Sequence, residues 1–204
     1  RARPVFLDIG ANLGFYSFLF AHHGFDVVAV EPMVHNLRAI NATLCLNPEL
    51  RRRITLFPTA LVGVRTDPAV RCVIRARSAG GRGNGVLHCG ANATCPATSG
   101  ACNGVQTRTV DSILSDVHPH AVDVVKIDVE GSECNLLDGA QSLLTTYRPS
   151  FVQWEGKELK TDRCMRRLVK AHGYSIGTLF GNDRNTVAVP PREAAQPAAR
   201  RRRT

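Results

Sequence analysis

The chain is predicted to be an α/β protein: a mostly parallel sheet with helices on both faces. Three observations carry this. Short apolar runs of strand length alternate with amphipathic runs of helical period along the chain to Val189. The runs Val5-Phe6-Leu7-Asp8-Ile9 and Asp26-Val27-Val28-Ala29-Val30-Glu31 are nearly continuously apolar, as strands covered on both faces must be. Two last strand-like segments, 174–180 and 186–189, flank Gly181-Asn182-Asp183, a good turn for a closing antiparallel hairpin.

The elements follow in order. The first strand meets the turn Gly10-Ala11-Asn12-Leu13-Gly14 and an apolar helix to about His22. After the second strand, Pro32 opens a helix from Val34 to Leu46, with Leu37, Ala39, Ile40 and Leu44 on one stripe and Asn47-Pro48 ending it. Residues 54–57 form a third strand. Residues 60–64 and 70–74 are predicted to pair as a hairpin about Thr66-Asp67-Pro68. Residues 78–104 hold seven glycines and three cysteines with little periodicity, the mark of an inserted loop. An extended segment at 105–110 leads to a helix to Val117 capped by Asp111. A core strand at 122–129 precedes a helix at 132–146 that buries Leu136, Leu137, Ala140, Leu143 and Leu144. Residues 149–155 form a strand and 161–172 a helix.

A chain of 204 residues suffices for one such domain with a real core and is too short for two generous ones. One domain is expected over 1–189, followed by a disordered basic tail at 190–204. The abrupt start at Arg1-Ala2-Arg3-Pro4, without a signal peptide, reads as a domain cut from a longer protein. No apolar run is long enough to span a bilayer. The formal charge of +9 is unevenly placed: the tail holds five arginines against Glu193, a net +4. The rest is scattered apart from Arg51-Arg52-Arg53, with few aromatics nearby to stack bases, so nucleic acid is not the expected partner.

Seven cysteines are an odd count. Cys89, Cys95 and Cys102 are spaced too widely for the tight pairs of a zinc site, so a local disulfide is expected in the insert, which requires an oxidising compartment. The sequons Asn41-Ala42-Thr43 and Asn92-Ala93-Thr94 are compatible with a lumenal protein, Asn41 being a poor acceptor within its helix. They leave the compartment open.

In a parallel sheet of this kind ligands bind beyond the carboxyl ends of the strands, where strand order reverses. The first strand ends in Asp8-Ile9-Gly10-Ala11-Asn12-Leu13-Gly14, spaced G-x-x-x-G. Asn12 stands where a dinucleotide site places the glycine that admits a pyrophosphate, so a cofactor without phosphate is favoured. Glu31, 21 residues after Gly10, can accept hydrogen bonds from both ribose hydroxyls. Asp8 is placed to receive an ammonium group. A second cluster, Lys126-Ile127-Asp128-Val129-Glu130-Gly131-Ser132-Glu133, ends a core strand at the same sheet edge. Glu130 and Glu133 are suited to capping the following helix. Asp128 is harder to explain by capping, and a carboxylate there can orient or deprotonate a substrate hydroxyl. Glu155 is a second candidate, Trp154 reads as packing, and His35 as an exposed residue of a first helical turn.

The stretches FLDIGANLGFYS, VVAVEPMVHNLRAINATLCLN, TVDSIL and VDVVKIDVEGSECNLLDGA resemble successive signatures of FkbM-type methyltransferases, from about Val5 to Glu155, with Gly173-Tyr174 fitting a later turn. The resemblance implies a Rossmann-like class I methyltransferase fold with a seven-stranded sheet, S-adenosylmethionine as cofactor, and methyl transfer to the oxygen of a sugar or other hydroxyl acceptor. It implies that Asp8, Gly10, Asn12 and Gly14 line the methionine end, Glu31 binds ribose and Ala60-Leu61 lies beside adenine. Asp128 and Glu130 would face the transfer site. Some sugar methyltransferases use a divalent cation, and Asp128 with Glu155 offers ligands for Mg²⁺. Val34 replaces a commoner proline, and the Cys-rich insert departs from the family pattern and is expected to cover the substrate.

Two other functions are compatible with a sheet of this kind. A nicotinamide-dependent oxidoreductase is disfavoured by the glycine spacing and by the lack of a Tyr-Lys or Cys-His set. A non-catalytic module binding glycan or RNA is disfavoured by the intact cofactor motifs.

Overall fold

The computed structural model describes residues 2–66, 70–76, 85–96, 102–177 and 185–191. The first half of the main sheet comes from two strand–helix units and a third strand. Strand β1 (Val5–Ile9) leads to helix α1 (Phe15–His22), β2 (Asp26–Val30) to α2 (Val34–Leu46) and the short α3 (Pro48–Arg51), and then β3 (Ile54–Phe57) follows. A smaller unit comes next: β4 (Ala60–Leu61), β5 (Cys72–Ala76), β6 (Gly85–Cys89), β7 (Cys102–Val105) and β8 (Thr107–Arg108). The second half holds α4 (Val110–Val117), β9 (Val124–Ile127), α5 (Glu133–Leu137), β10 (Phe151–Trp154), α6 (Leu159–Ala171), β11 (Ser175–Ile176) and β12 (Thr186–Val189).

The main sheet has seven strands in the order β11-β12-β10-β9-β1-β2-β3. Strands β3, β2, β1, β9 and β10 are parallel, while β12 runs antiparallel to both β10 and β11. This is the expected class I methyltransferase arrangement. From β1 the chain winds outward through β2 and β3, then returns to β9 and β10 on the other side. The order therefore reverses between β1 and β9, and the ends of these two strands flank the crevice where ligands bind in such sheets.

Strand alternation sorts the core into two layers. Val5, Leu7 and Ile9 of β1 join Val28, Val30, Val125 and Ile127, covered by α4, α5 and α6 through Ile113, Leu136, Met165 and Val169. Phe6 with Val27 and Ala29 faces the opposite way, against Ala21 of α1 and Ile40 and Leu44 of α2. The buried stripe of α2 is Asn36, Ile40 and Leu44.

Five local features differ from expectation. Residues 60–64 and 70–74 do not pair: β4 lies parallel to β8, while β5 is the centre of an antiparallel sheet ordered β6-β5-β7. The insert is thus partly ordered β-structure rather than loop. Its glycine content hid the strands, and cross-links hold it: Cys72 is disulfide-bonded to its register partner Cys89, and Cys95 to Cys102. The helix starting at Val110 is capped by Thr109, whose side chain accepts from the Ser112 N–H. Asp111 instead accepts from the Gln141 and Ser142 N–H groups at 2.9 and 3.0 Å. That contact bears on the fourth difference: the helix expected over 132–146 stops at Leu137. Gly139 lies against Thr109 and the Val62 carbonyl, and Asp111 caps a new start that leads to a π-type turn at Leu143–Tyr147. His35, expected to be exposed, is half-buried.

A third disulfide, Cys134–Cys164, joins α5 to α6, and Cys45 is a free, exposed cysteine. The turn Gly181-Asn182-Asp183 and the tail from Arg192 onward lie outside the described residues. Among the described residues no helix is long and apolar enough to cross a membrane.

Candidate active site

The turn after β1 is shaped by one close approach. Gly10 has φ +79°, and a Cβ placed there would sit 1.9 Å from the Asp128 carbonyl oxygen, so only glycine fits. The turn is held by Val30, whose carbonyl accepts from both Gly10 and Ala11 N–H at 3.0 Å, and by the Asp128 N–H donating to Ile9. Asn12 is left-handed at φ +55°, a conformation asparagine tolerates.

Glu31, at the end of β2, is buried and organises the rim. Its carboxylate accepts from the Asn12 N–H at 2.8 Å, the Met33 N–H at 2.9 Å and the Asn36 amide at 3.1 Å. It therefore ties the glycine turn to the start of α2, where Pro32 has no N–H to offer. Burial pushes its carboxyl above the ordinary range, against the pull of these donors.

Under the turn lies a buried pair on the α1 face. Asp8 and Lys126 are register partners in β1 and β9, and the Lys126 ammonium stands 3.6 Å from the Asp8 carboxylate. The same ammonium donates to the Gly10 carbonyl at 3.0 Å and lies 3.5 Å from Asp128. Asp8 also accepts from Ser17 at 2.6 Å, and burial raises its carboxyl despite Lys126. Lys126 thus links the glycine turn to the acidic turn across the crevice.

The acidic turn follows β9. Glu133 is buried, and one of its oxygens accepts from the Val129 and Gly131 N–H groups at 3.0 and 3.1 Å, folding the loop over the start of α5. Glu130 is left-handed at φ +55°, unfavourable for a long side chain and the kind of local strain that gathers at functional sites. Glu155 sits just past β10, its N–H donating to Ile127. Burial first, then the negative charges of Asp128 and Glu130, raise its carboxyl to about 7. Oxygens of Asp128, Glu133 and Glu155 lie within 4.8 Å of one another.

These turns enclose a cleft of about 280 Å³. Of the residues expected at the site, Gly10, Asn12, Glu31, Ala60, Leu61, Asp128 and Glu130 line it together, as does Glu155. Asp8 and Gly14 do not: Asp8 lies beneath the turn, and Gly14 packs against Phe18 and Ile40. Trp154 is packing, its indole N–H donating to Asp162 at 3.0 Å. The sequence reading missed Lys126, whose signal was a lysine inside an otherwise apolar core strand. It missed the stapling role of Glu133, which capping explained too readily. It also missed Ile74, Gly85 and Leu87, which bring the insert into the cleft wall.

The FkbM methyltransferase domain profile matches residues 8–176, more than half of the chain. The chain belongs to the FkbM methyltransferase family. The methyltransferase FkbM from Methylobacillus flagellatus superposes with a TM-score of 0.62 at 18% identity, over 92% of this chain and 43% of that one. The METTL16 methyltransferase domain gives 0.55 at 12% identity, over 93% of this chain and 60% of that one. The precorrin-6y C5,15-methyltransferase from Geobacter metallireducens gives 0.52 at 15% identity, over 93% and 82%. At these identities the likeness is one of fold. The FkbM chain spans less than half the length of its Methylobacillus counterpart. No curated protein matches it in sequence.

Proposed function

We propose that this FkbM domain binds S-adenosylmethionine in the cleft and transfers its methyl group to the oxygen of a sugar or other hydroxyl acceptor. The observation that carries the reading is the convergence of Gly10, Asn12, Glu31, Ala60, Leu61 and Asp128 on one cleft at the reversal point of the sheet. Two features fit the cofactor. Asn12 lines the cleft, and its side-chain oxygen is buried without a hydrogen-bond partner. Gly10 leaves room for the Asp128 carbonyl where a Cβ would stand, so the glycine turn and the acidic turn meet at one end of the cleft that both line.

In this reading Gly10 and Asn12 hold the methionine end, Glu31 accepts from the ribose hydroxyls, and Ala60 and Leu61 pack beside adenine. Gly14 fixes the start of α1, and Asp8 acts through Lys126. The bound cofactor supplies a methyl already activated by its sulfonium, so the protein's work is alignment and exclusion of water. Asp128 orients the acceptor hydroxyl, with Glu130 beside it, and the proton passes to Asp128 or to Glu155, whose carboxyl is held near neutrality.

Asp128, Glu133 and Glu155 are the groups that would hold Mg²⁺ through their carboxylate oxygens. A second groove of about 700 Å³ shares Leu61, Leu87 and Ser132 with the cleft and carries Arg65, Asn135, Gln141 and Arg167. Its polar walls suit a hydroxylated acceptor.

The test is formation of S-adenosylhomocysteine with a panel of glycans and small alcohols. Asp128→Asn is expected to cut turnover roughly 100-fold with little change in cofactor affinity. Wild-type turnover in that variant would remove Asp128 from the mechanism.

A further inference from the structure

We propose that Asn92 carries an N-linked glycan and that the domain matures in an oxidising, glycosylating compartment. The inference stands apart from the methyl-transfer reading and rests on two independent features.

The first is the pairing of the cysteines. Six of the seven are joined as Cys72–Cys89, Cys95–Cys102 and Cys134–Cys164, leaving Cys45. The pairs serve different parts of the fold: one crosses register partners in β5 and β6, one closes the insert, and one joins two helices of the main domain. Three structural disulfides spread this widely belong to a compartment whose protein dithiol oxidants take two electrons per pair.

The second is the contrast between the two sequons. Asn92-Ala93-Thr94 lies in a turn after β6, between Cys89 and Cys95, each pinned by its disulfide. Asn92 is exposed, and the neighbouring Gly90, at φ +140°, has nothing within 4 Å of a Cβ placed on it. The Ala93 N–H donates to the Gly90 carbonyl at 3.0 Å, so the turn is formed by the backbone and leaves the Asn92 amide outside it. Ala93 is buried against Val73 and Cys102, which anchors the turn while its neighbour projects. Asn41 is equally exposed but lies inside α2, and the Thr43 hydroxyl donates to the Ala39 carbonyl at 3.0 Å. A sequon held in a helix with its hydroxyl already engaged is a poor acceptor, whereas one in a surface turn is a good one.

The chemistry needs no redox partner. The donor is a lipid-linked oligosaccharide diphosphate. The Asn92 side-chain nitrogen forms a bond to the sugar anomeric carbon, the bond from that carbon to the diphosphate oxygen breaks, the amide loses one proton, and the lipid diphosphate leaves.

The experiment uses the full-length protein from its own cells, alkylated before any reduction. It is digested, treated with peptide N-glycosidase in ¹⁸O water, and mapped by mass spectrometry. The expected result is three disulfide-linked peptide pairs and conversion of Asn92, but not Asn41, to ¹⁸O-labelled aspartate. An unmodified Asn92 would overturn the proposal whether the cysteines are paired or free. A glycan on Asn41 instead would overturn the argument from local structure. Asn92→Gln is expected to abolish the enzyme-sensitive mobility shift, and persistence of the shift in that variant counts against the site.

Discussion

Glu155 shows how burial and neighbouring charge together set this site. Its carboxyl, ordinarily near 4.5, is pushed up to about 7, first by partial burial and then by the charges of Asp128 and Glu130. A base must be deprotonated to act, so if Glu155 takes the acceptor proton the rate of methyl transfer climbs as pH rises through about 7. Glu155→Gln is expected to flatten that limb and lower the plateau, as read from a pH–rate profile at saturating cofactor. A limb that survives unchanged in the variant assigns the titration to another group. Glu31, by contrast, is held by three donors of its own chain before any ligand arrives. Its geometry is preformed, so in the proposed reading the carboxylate receives ribose without reordering. The sequence made Glu31 and Asp128 legible because each ends an apolar run where an acid needs a reason. It did not disclose Lys126, since the partners that make a buried lysine tolerable come from β1 and from the glycine turn, more than a hundred residues away.

At the scale of elements, the crevice depends on two turns meeting across β1 and β9. Gly10→Ala would drive a methyl into the Asp128 carbonyl from a left-handed backbone. We expect a loss of about 3 kcal/mol in denaturant unfolding and loss of cofactor binding. A variant as stable as the parent would mean that the turns do not meet this closely. The strands and α2 were readable because period and length agree there, and Val34–Leu46 appears as expected. The helix after β9 was not, for a specific reason. Its apolar spacing continues through Leu144, but Gly139 is needed against Thr109, and Asp111 caps a fresh start from a distant helix. The insert misled for the opposite reason, because its strands are short, glycine-rich and held by disulfides rather than by an apolar pattern. These strands bring Ile74, Gly85 and Leu87 into the cleft wall.

For the whole molecule, the carboxyls of Asp8, Glu31, Glu133 and Glu155 are all raised by burial. A raised carboxyl holds its proton in the folded state after the unfolded chain has lost it. Stability then falls as pH rises, for Glu155 between 4.5 and about 7, and this contribution is flat above that window. Thermal unfolding is expected to give a higher midpoint near pH 5 than near pH 8, with the difference reduced in Glu155→Gln. A midpoint that rises over that interval contradicts the assignment of these environments. The seven-stranded order reverses between β1 and β9, and the proposed chemistry lies at the edge of the sheet formed by the carboxyl ends of those strands.

The central claim, that this edge binds S-adenosylmethionine, is tested most directly by calorimetric titration of the folded domain with S-adenosylhomocysteine, with NAD as the control. The account predicts saturable one-site binding, no response to NAD, and an affinity about 10- to 100-fold weaker in Glu31→Ala as the ribose contacts are lost. A folded sample that binds no S-adenosylhomocysteine, or binds it equally well without Glu31, would contradict it.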